Sequence, residues 1–548
     1  MTTQTASDNN KKSTRYTNHH ESSRDEKLAR PPHILTDPDY YRISLVHRLR
    51  DIKIPRVSSI SEVHVKPEIA GLMDRSALFR VKLYDEKHGF IGSLFAKTIY
   101  EGRKQTYLSP QPLDPRSSMR YQFEQMLEWD RLRLPAARAI DYIEEMRDVS
   151  PSEISEKDIV KVDGILFEDI TSPTHDLDLI AINQIVQYNT RQLLHKDPFL
   201  PSSEKEMLER ANEYLFEERN KILDSVLSNV NHFAVFGTIS IPGDKVIVSD
   251  NPGLDYFERF EHYMNKALFF TLIRRGELDI DQYRQSALTD NFGHLSKTAL
   301  DSLGDLNDKL KNLRDPLLKI LEDLFSRRLV YRQGDEYLHH YAYHEINGTA
   351  LNPNETILGS VVFDADRATI GPIEGAQSKV LVNPISVQEI EYEEAASLVQ
   401  KANRELMALA TQAEQTHPSE YAGIRGIVEL DPAIALKRFD FMAIYEIFRC
   451  MGKRAIDALK NWNFHDARIR KGAPYDNRFI EYPKEVPEHL TLTRVYDIPR
   501  SIDKLRGALI DRFDRIRQDS VDYEITKEEK EALQGLEALA FDVGILVK

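Results

Sequence analysis

The chain changes its hydrophobic period along its length. Between Ile69 and Tyr100 apolar and polar positions alternate. Ala77 to Tyr84 (ALFRVKLY) and Phe90 to Ile99 (FIGSLFAKTI) each put every second side chain on one face, and Asp85 to Gly89 supplies turn residues between them, so the stretch predicts an antiparallel hairpin. Arg116 to Arg133 then reads as an amphipathic helix with Phe123, Leu127 and Leu134 on its apolar side, followed by Leu134-Pro135 and a short apolar run. Asp163-Gly164 turns into Ile165 to Ile170 (ILFEDI), an apolar strand that becomes acidic at its end.

Helical spacing dominates after that. It predicts helices over Asp176 to Leu194, Ser203 to Val230, Leu254 to Arg275, Leu295 to Arg328, Ser386 to Gln415, Pro432 to Lys460, Pro499 to Gln518 and Thr526 to Val547, with a short one at Tyr40 to Leu49. Ser203 with Glu206, Ser386 with Glu389, and Thr526 with Glu529 have capping-box spacing, and Asp431-Pro432 is a helix start. Two stretches interrupt the helices. His232 to Ser249 (HFAVFGTISIPGDKVIVS) has a Pro242-Gly243-Asp244 turn between two strand-like runs and predicts an accessory hairpin. Leu329 to Pro372 reads as a short strand (Leu329 to Tyr331), a polar loop with Gly334-Asp335, an insertion around Asn352-Pro353-Asn354, and a second strand (Ile357 to Phe363) that ends in Asp364-Ala365-Asp366. Asn463 to Tyr496 is poor in pattern and reads as a long surface loop.

Composition narrows the class. A length of 548 residues predicts two or three packed units, and 41% hydrophobic with 29% charged residues is ordinary for a globular protein. Met1 to Arg30 carries almost no large apolar residue and predicts a disordered tail; residues 31–68 form an extension of unreadable role. The single cysteine, Cys450, sits in an apolar helical pattern and predicts core packing, and one cysteine excludes an intrachain disulfide framework or a cysteine-based zinc site. A net charge of −15 disfavours nucleic-acid binding, which draws on Lys and Arg; the run Arg468-Ile469-Arg470-Lys471 is short enough to be a solvated loop. No stretch of about 18 apolar residues is present and the N-terminus lacks the apolar core of a signal peptide, so a cytoplasmic protein without membrane insertion is expected.

The chemistry concentrates where two strands each end in a carboxylate, Asp335 and Asp364. That pair suits phosphoryl transfer, in which one Asp can orient the attacking hydroxyl and the other can hold Mg²⁺ against the phosphates. His339, His340 and His344 also invite a zinc reading, but Gly348 stands where a second zincin histidine is required after His344-Glu345. Glu336 and Glu345 read either as attractors of a cationic substrate or as solvated charges.

Gln333-Gly334-Asp335, with His340 five residues after the Asp, and Asp364-Ala365-Asp366 resemble the catalytic loop and metal motif of the aminoglycoside and choline phosphotransferase family. The resemblance implies an α+β, two-lobed, protein-kinase-like fold: a small N-lobe over 69–170 with an antiparallel sheet and one main helix, a large mostly helical C-lobe over 171–384, and a helical extension over 385–548. It implies ATP and Mg²⁺ as cofactors and a hydroxylated small molecule as substrate. It gives Asp335 the role of catalytic base and Asp364 that of a metal ligand, with His340 at the position of the family's metal-binding Asn; Asp366 reads either as a further metal ligand beside Asp364 or as orienting Arg367 and the loop. Lys97 becomes the phosphate-binding lysine, paired with Glu124 or alternatively Glu128, although a strand lysine also reads as a solvated edge residue. Gly71 would lie on the phosphate-side loop, and Glu168 and Ile170 would meet the adenine edge through main chain. Gln333 and His340 depart from the family's His and Asn, which motivates a second reading, a catalytically inactive nucleotide-binding or scaffold protein on the same fold.

Overall fold

Side chains that alternate in and out can share one buried face only as a sheet, and the N-terminal part of the chain does this with a helix packed against it. The computed structural model describes residues 62–67, 76–85, 87–100, 119–148, 160–170, 202–241, 243–246, 248–279, 282–283, 295–336, 340–351, 354–363, 365, 368–382, 392–460, 498–518 and 520–542. The expectations for Met1 to Arg30, Tyr40 to Leu49, Gly71, Asp176 to Leu194, Asp364, Asp366 and Asn463 to Tyr496 lie outside these residues.

Strands β1 (Glu62–Pro67), β2 (Ser76–Tyr84), β3 (Phe90–Tyr100), β4 (Ala139–Asp148) and β5 (Val160–Glu168) form one antiparallel sheet in the order β1-β2-β3-β5-β4. The β2–β3 turn closes because the Asp85 carboxylate accepts the N–H groups of Lys87 and Gly89, both at 2.8 Å. Helix α1 (Met119–Arg131) buries Met119, Gln122, Gln125, Met126 and Trp129. Strand β1 is a gain over the sequence reading, which began the sheet at Ile69.

The rest is mostly helical: α2 (Ser202–His232), α3 (Pro252–Arg275), α4 (Lys297–Leu324), then the strands β6 (Leu329–Arg332), β7 (Tyr341–Asn347), β8 (Thr356–Val362) and β9 (Thr369–Pro372), and then α5 (Ile373–Leu381), α6 (Tyr392–Thr416), α7 (Ile424–Val428), α8 (Pro432–Lys460), α9 (Ile498–Arg517) and α10 (Lys527–Asp542). Strands β6 and β9 pair with each other, as do β7 and β8, both antiparallel. Caps end these helices where the sequence has them. Asn251 accepts from the Leu254 N–H at 3.1 Å, Gly276 closes α3 at φ +73°, and Thr526 and Glu529 exchange bonds of 2.8 and 3.2 Å ahead of α10.

The accessory hairpin expected over His232–Ser249 is overturned. Helix α2 runs on into a π-helical turn, Phe233–Gly237, and a last turn, Thr238–Ser240, and Gly243–Lys245 is a 3₁₀ turn; no described residue of this stretch is in a strand. All five residues of the π-turn are buried. A segment covered on every side loses its amphipathic period, and a short apolar run beside Pro-Gly then looks like a strand.

One continuous apolar core runs from Phe95 to Ala540, through the sheet, α1 and the C-terminal helices, and includes Cys450, as its apolar setting predicted. At Asp440 on α8 the core closes over charge. Burial pushes this carboxyl up against the attraction of Arg512 at 2.8 Å, and the hydroxyls of Tyr392 and Tyr523 donate to it at 2.9 and 2.6 Å, tying α6, α8 and α9 together. No described helix is long and apolar enough to cross a membrane. A small antiparallel sheet carrying one main helix, followed by a large, mostly helical part, is the α+β arrangement that the resemblance implied.

Candidate active site

Strand β6 ends at Arg332, and the chain then turns sharply through Gln333-Gly334-Asp335-Glu336. Gly334 makes the turn at φ +93°, a conformation strained for any residue with a Cβ. The loop is braced from below by charge. Arg332 grips the Glu336 carboxylate through two bonds, 3.1 and 2.9 Å, and also donates to the Pro372 carbonyl at 3.2 Å. The same carboxylate accepts the Gly334 N–H at 2.8 Å and has the Lys379 ammonium of α5 at 3.4 Å; Lys379 also donates to the Gly334 carbonyl. Burial works to raise the Glu336 pKa, but the charges of Arg332 and Lys379 and the bonds from Arg332 and Gly334 outweigh it and hold it down at about 2. Glu336 is therefore neither a solvated charge nor an attractor for a cationic substrate. Room for Arg332 comes from Gly375 on α5, where a Cβ would stand 2.5 Å from the guanidinium.

Asp335 sits on this brace. Its N–H donates to the buried Gln333 side chain at 2.9 Å, so Gln333 shapes the turn from within. His340 Nδ1 lies 2.8 Å from the Asp335 carbonyl and 3.5 Å from its carboxylate Oδ2. A carbonyl only accepts, so Nδ1 carries the hydrogen, and in a neutral imidazole that leaves the lone pair on Nε2. Metal-binding histidines are oriented in this way, by a carbonyl on the far nitrogen, and on that ground His340 fits a divalent ion. The His340 carbonyl accepts from the N–H of Phe363, the residue before Asp364, at 3.2 Å. Asp364, Asp366 and His339 lie outside the described residues, as does the His344 side chain; among the described residues no group of three or more His, Cys, Asp or Glu is gathered for a metal.

Lys97 lies on β3 opposite Leu78 of β2 and Ile165 of β5, inside the sheet rather than at its edge. Its ammonium donates to Gln122 Oε1 at 3.1 Å, and Gln122 is 1% exposed. The expectation for Glu124 is overturned: its side chain is 58% exposed and pairs with Arg120 at 3.2 Å. Two residues along a helix is a rotation of about 200°, so with Gln122, Gln125 and Trp129 turned inward Glu124 faces out. Glu128 does not replace it. Burial works to raise its pKa, and hydrogen bonds from Lys245 and Arg131 bring it below the ordinary value, so its partners are those two cations. A search for carboxylates passes over Gln122; the signal is a polar residue in phase with Met119, Met126 and Trp129.

Glu168 closes β5 with its side chain exposed and its N–H donating to the Arg138 carbonyl at 2.9 Å, and Ile170 is buried two residues on. Between them Asp169, unnoticed in the sequence, accepts from the Ser93 hydroxyl and stands 3.9 Å from Arg80. The turn after α1 is joined to the other lobe. Ala137 donates to the Val362 carbonyl at 2.7 Å, Val362 donates to that of Pro135 at 3.1 Å, and the Asn229 amide of α2 spans the carbonyls of Pro135 and Ser360 at 2.7 and 2.6 Å.

No protein-family model and no curated protein matches the sequence. Among solved structures the chain is similar to the choline kinase from Cryptosporidium parvum Iowa II, at TM-score 0.41 and 11% identity over 87% of this chain and 97% of that one. It is also similar to a microcompartment-associated aminopropanol kinase (TM-score 0.35, 10% identity, 88% and 99% covered) and a glucosamine kinase (TM-score 0.31, 9% identity, 75% and 94% covered). What the chain's own geometry shows is an α+β fold, a five-stranded antiparallel sheet with one main helix followed by a mostly helical part.

Proposed function

We propose that the protein is an ATP- and divalent-ion-dependent phosphotransferase that moves the γ-phosphoryl group to a hydroxyl of a small molecule. The observation that supports this most is the braced loop, which spends two buried charges, Arg332 and Glu336, and the half-buried Lys379 on holding one further carboxylate, Asp335, at the end of β6. In this reading Asp335 accepts the proton of the acceptor hydroxyl as the phosphoryl group is transferred. Lys97, held by Gln122, balances phosphate charge. Main-chain groups of Glu168 and Ile170 meet the adenine edge, and Gly71 belongs to the phosphate-side loop. His340, Asp364 and Asp366 are the residues that would hold the divalent ion, which when bound offsets charge on the phosphates. Catalysis then consists of positioning and fixed electrostatics.

The test is Mg²⁺-dependent ATP binding and hydrolysis by the wild type beside Asp335→Ala and Asp364→Ala, followed by a screen of hydroxylated metabolites. Binding in all three with turnover in none overturns the enzyme and favours the nucleotide-binding scaffold, the reading that Gln333 and His340 motivate. Two further outcomes are expected. Gln122→Leu raises the nucleotide KM by about tenfold, since a hydrogen bond to a charged group is worth ~1.5 kcal/mol, while Gln122→Glu stays near wild type; steady-state kinetics of both variants checks this. His340→Asn weakens Zn²⁺ or Co²⁺ binding by about tenfold or more and strengthens Mg²⁺ binding, because an imidazole nitrogen suits transition ions and an amide oxygen suits Mg²⁺; titration calorimetry with each ion reads the reversal.

A further inference from the structure

Helix α1 meets β6 through a buried relay of hydrogen bonds. The Trp129 indole N–H donates to the Tyr331 hydroxyl at 2.7 Å, that hydroxyl donates to Gln125 Oε1 at 2.7 Å, and the Gln125 amide N–H donates to the Lys245 carbonyl at 2.6 Å. Trp129, Tyr331 and Gln125 are all within 1% of complete burial. From the helical lobe Tyr331 is fixed by its backbone, whose N–H donates to Thr238 Oγ1 at 2.8 Å, and by its ring, which stacks on Phe233 of the π-turn at 6.3 Å and 9°. The ring also lies so close to Gly237 that a Cβ there would stand 2.5 Å from it. Burial pushes the phenol far above its ordinary pKa, so it stays a hydroxyl, able to donate and accept at once.

The stripe of α1 that holds Tyr331 also holds Lys97. Gln122, Gln125 and Trp129 are spaced i, i+3, i+7 and share one face of the helix. Gln122 accepts from Lys97, Gln125 and Trp129, one and two turns further on, take the Tyr331 hydroxyl, and Tyr331 stands four residues before Asp335 on the strand that carries the braced loop. We propose that Tyr331 is a positioning residue: its hydroxyl, shared between Trp129 and Gln125, couples α1 to β6 and so sets where Lys97 stands relative to Asp335. This rests on the phosphotransferase reading and adds to it a single side chain on which the register of the two lobes depends.

Tyr331→Phe removes one oxygen and leaves a buried donor and a buried acceptor without it. The double variant Tyr331→Phe with Gln125→Leu removes the orphaned acceptor too. Both are made with Trp462→Phe, so that Trp129 is the sole tryptophan of the two in the chain and reports its own surroundings by fluorescence. At temperatures well below melting, Tyr331→Phe is expected to raise the nucleotide KM about fivefold and lower kcat about tenfold, since small misplacements of reacting groups are costly in rate, and to abolish the change in Trp129 emission on nucleotide binding. The double variant regains melting temperature but not the kinetics. Wild-type kcat and KM in Tyr331→Phe, with only a lowered melting temperature, overturn the proposal, and so does recovery of the kinetics together with stability in the double variant. If the Trp462→Phe protein with Tyr331 intact neither binds nucleotide nor transfers phosphate while Tyr331→Phe still shifts Trp129 emission, the hydrogen bond is real but the phosphotransferase reading fails and the positioning role with it.

Discussion

Asp335→Asn lowers kcat for phosphate transfer by about a thousandfold while the protein stays folded and continues to bind nucleotide. The size follows from what is removed: a positioned general base contributes on the order of 10²–10⁴ in rate, and an amide of the same shape accepts no proton at neutral pH. Stability is largely spared because two groups of Asp335 that shape the loop, its backbone N–H donating to Gln333 and its carbonyl accepting from His340, remain in the variant. The check is kcat at saturating nucleotide beside the melting temperature and the nucleotide Kd. A loss below about tenfold in kcat would remove Asp335 from the chemistry.

Glu336→Gln acts in the opposite way, on the fold first. Glu336 and Arg332 are each about 1–2% exposed, and removing the charge of one leaves the other buried without its bidentate partner. Breaking such a pair costs about 3–5 kcal/mol, enough to consume much of a domain's stability. Urea unfolding at pH 7 should show the loss as a lower midpoint with an unchanged slope. The pH dependence carries the same signature. The folded-state pKa of Glu336 is about 2, against an ordinary 4.5, so its contribution to stability is fully present above pH 4.5 and is lost as pH falls towards about 2. Wild-type stability should therefore fall over that window more steeply than that of Glu336→Gln, which has no such carboxylate to protonate.

These two neighbours show how differently the sequence spoke about adjacent residues. Asp335 was legible because Gly334-Asp335 after a short apolar strand is a local pattern, and the structure finds it there, on a glycine at φ +93°. Glu336 was not legible. Its partners Arg332 and Lys379 come from a strand and from a helix more than forty residues on, and only their convergence turns a surface-looking acid into the buried centre of a brace. The contrast on α1 has the same cause. The sequence named the helix and the lysine it serves, but which of Gln122, Glu124 and Glu128 faces Lys97 depends on the rotation of the helix about its axis once Met119, Met126 and Trp129 are buried.

By itself, the sequence determined the period of most elements, hence the β2–β3 hairpin, β5, the long helices, their caps at Thr526 and Asp431, and the order in which a lysine, a Gly-Asp loop and an Asp-X-Asp follow one another. These are properties of neighbours along the chain, set by backbone geometry and side-chain spacing within a few residues. Only the tertiary structure decided that Phe233–Gly237 is a buried π-turn and not a hairpin, that a glutamine holds Lys97, and that Tyr331 joins α1 to β6. Each of those depends on burial from all sides or on partners distant in sequence, and neither leaves a period for the chain to display.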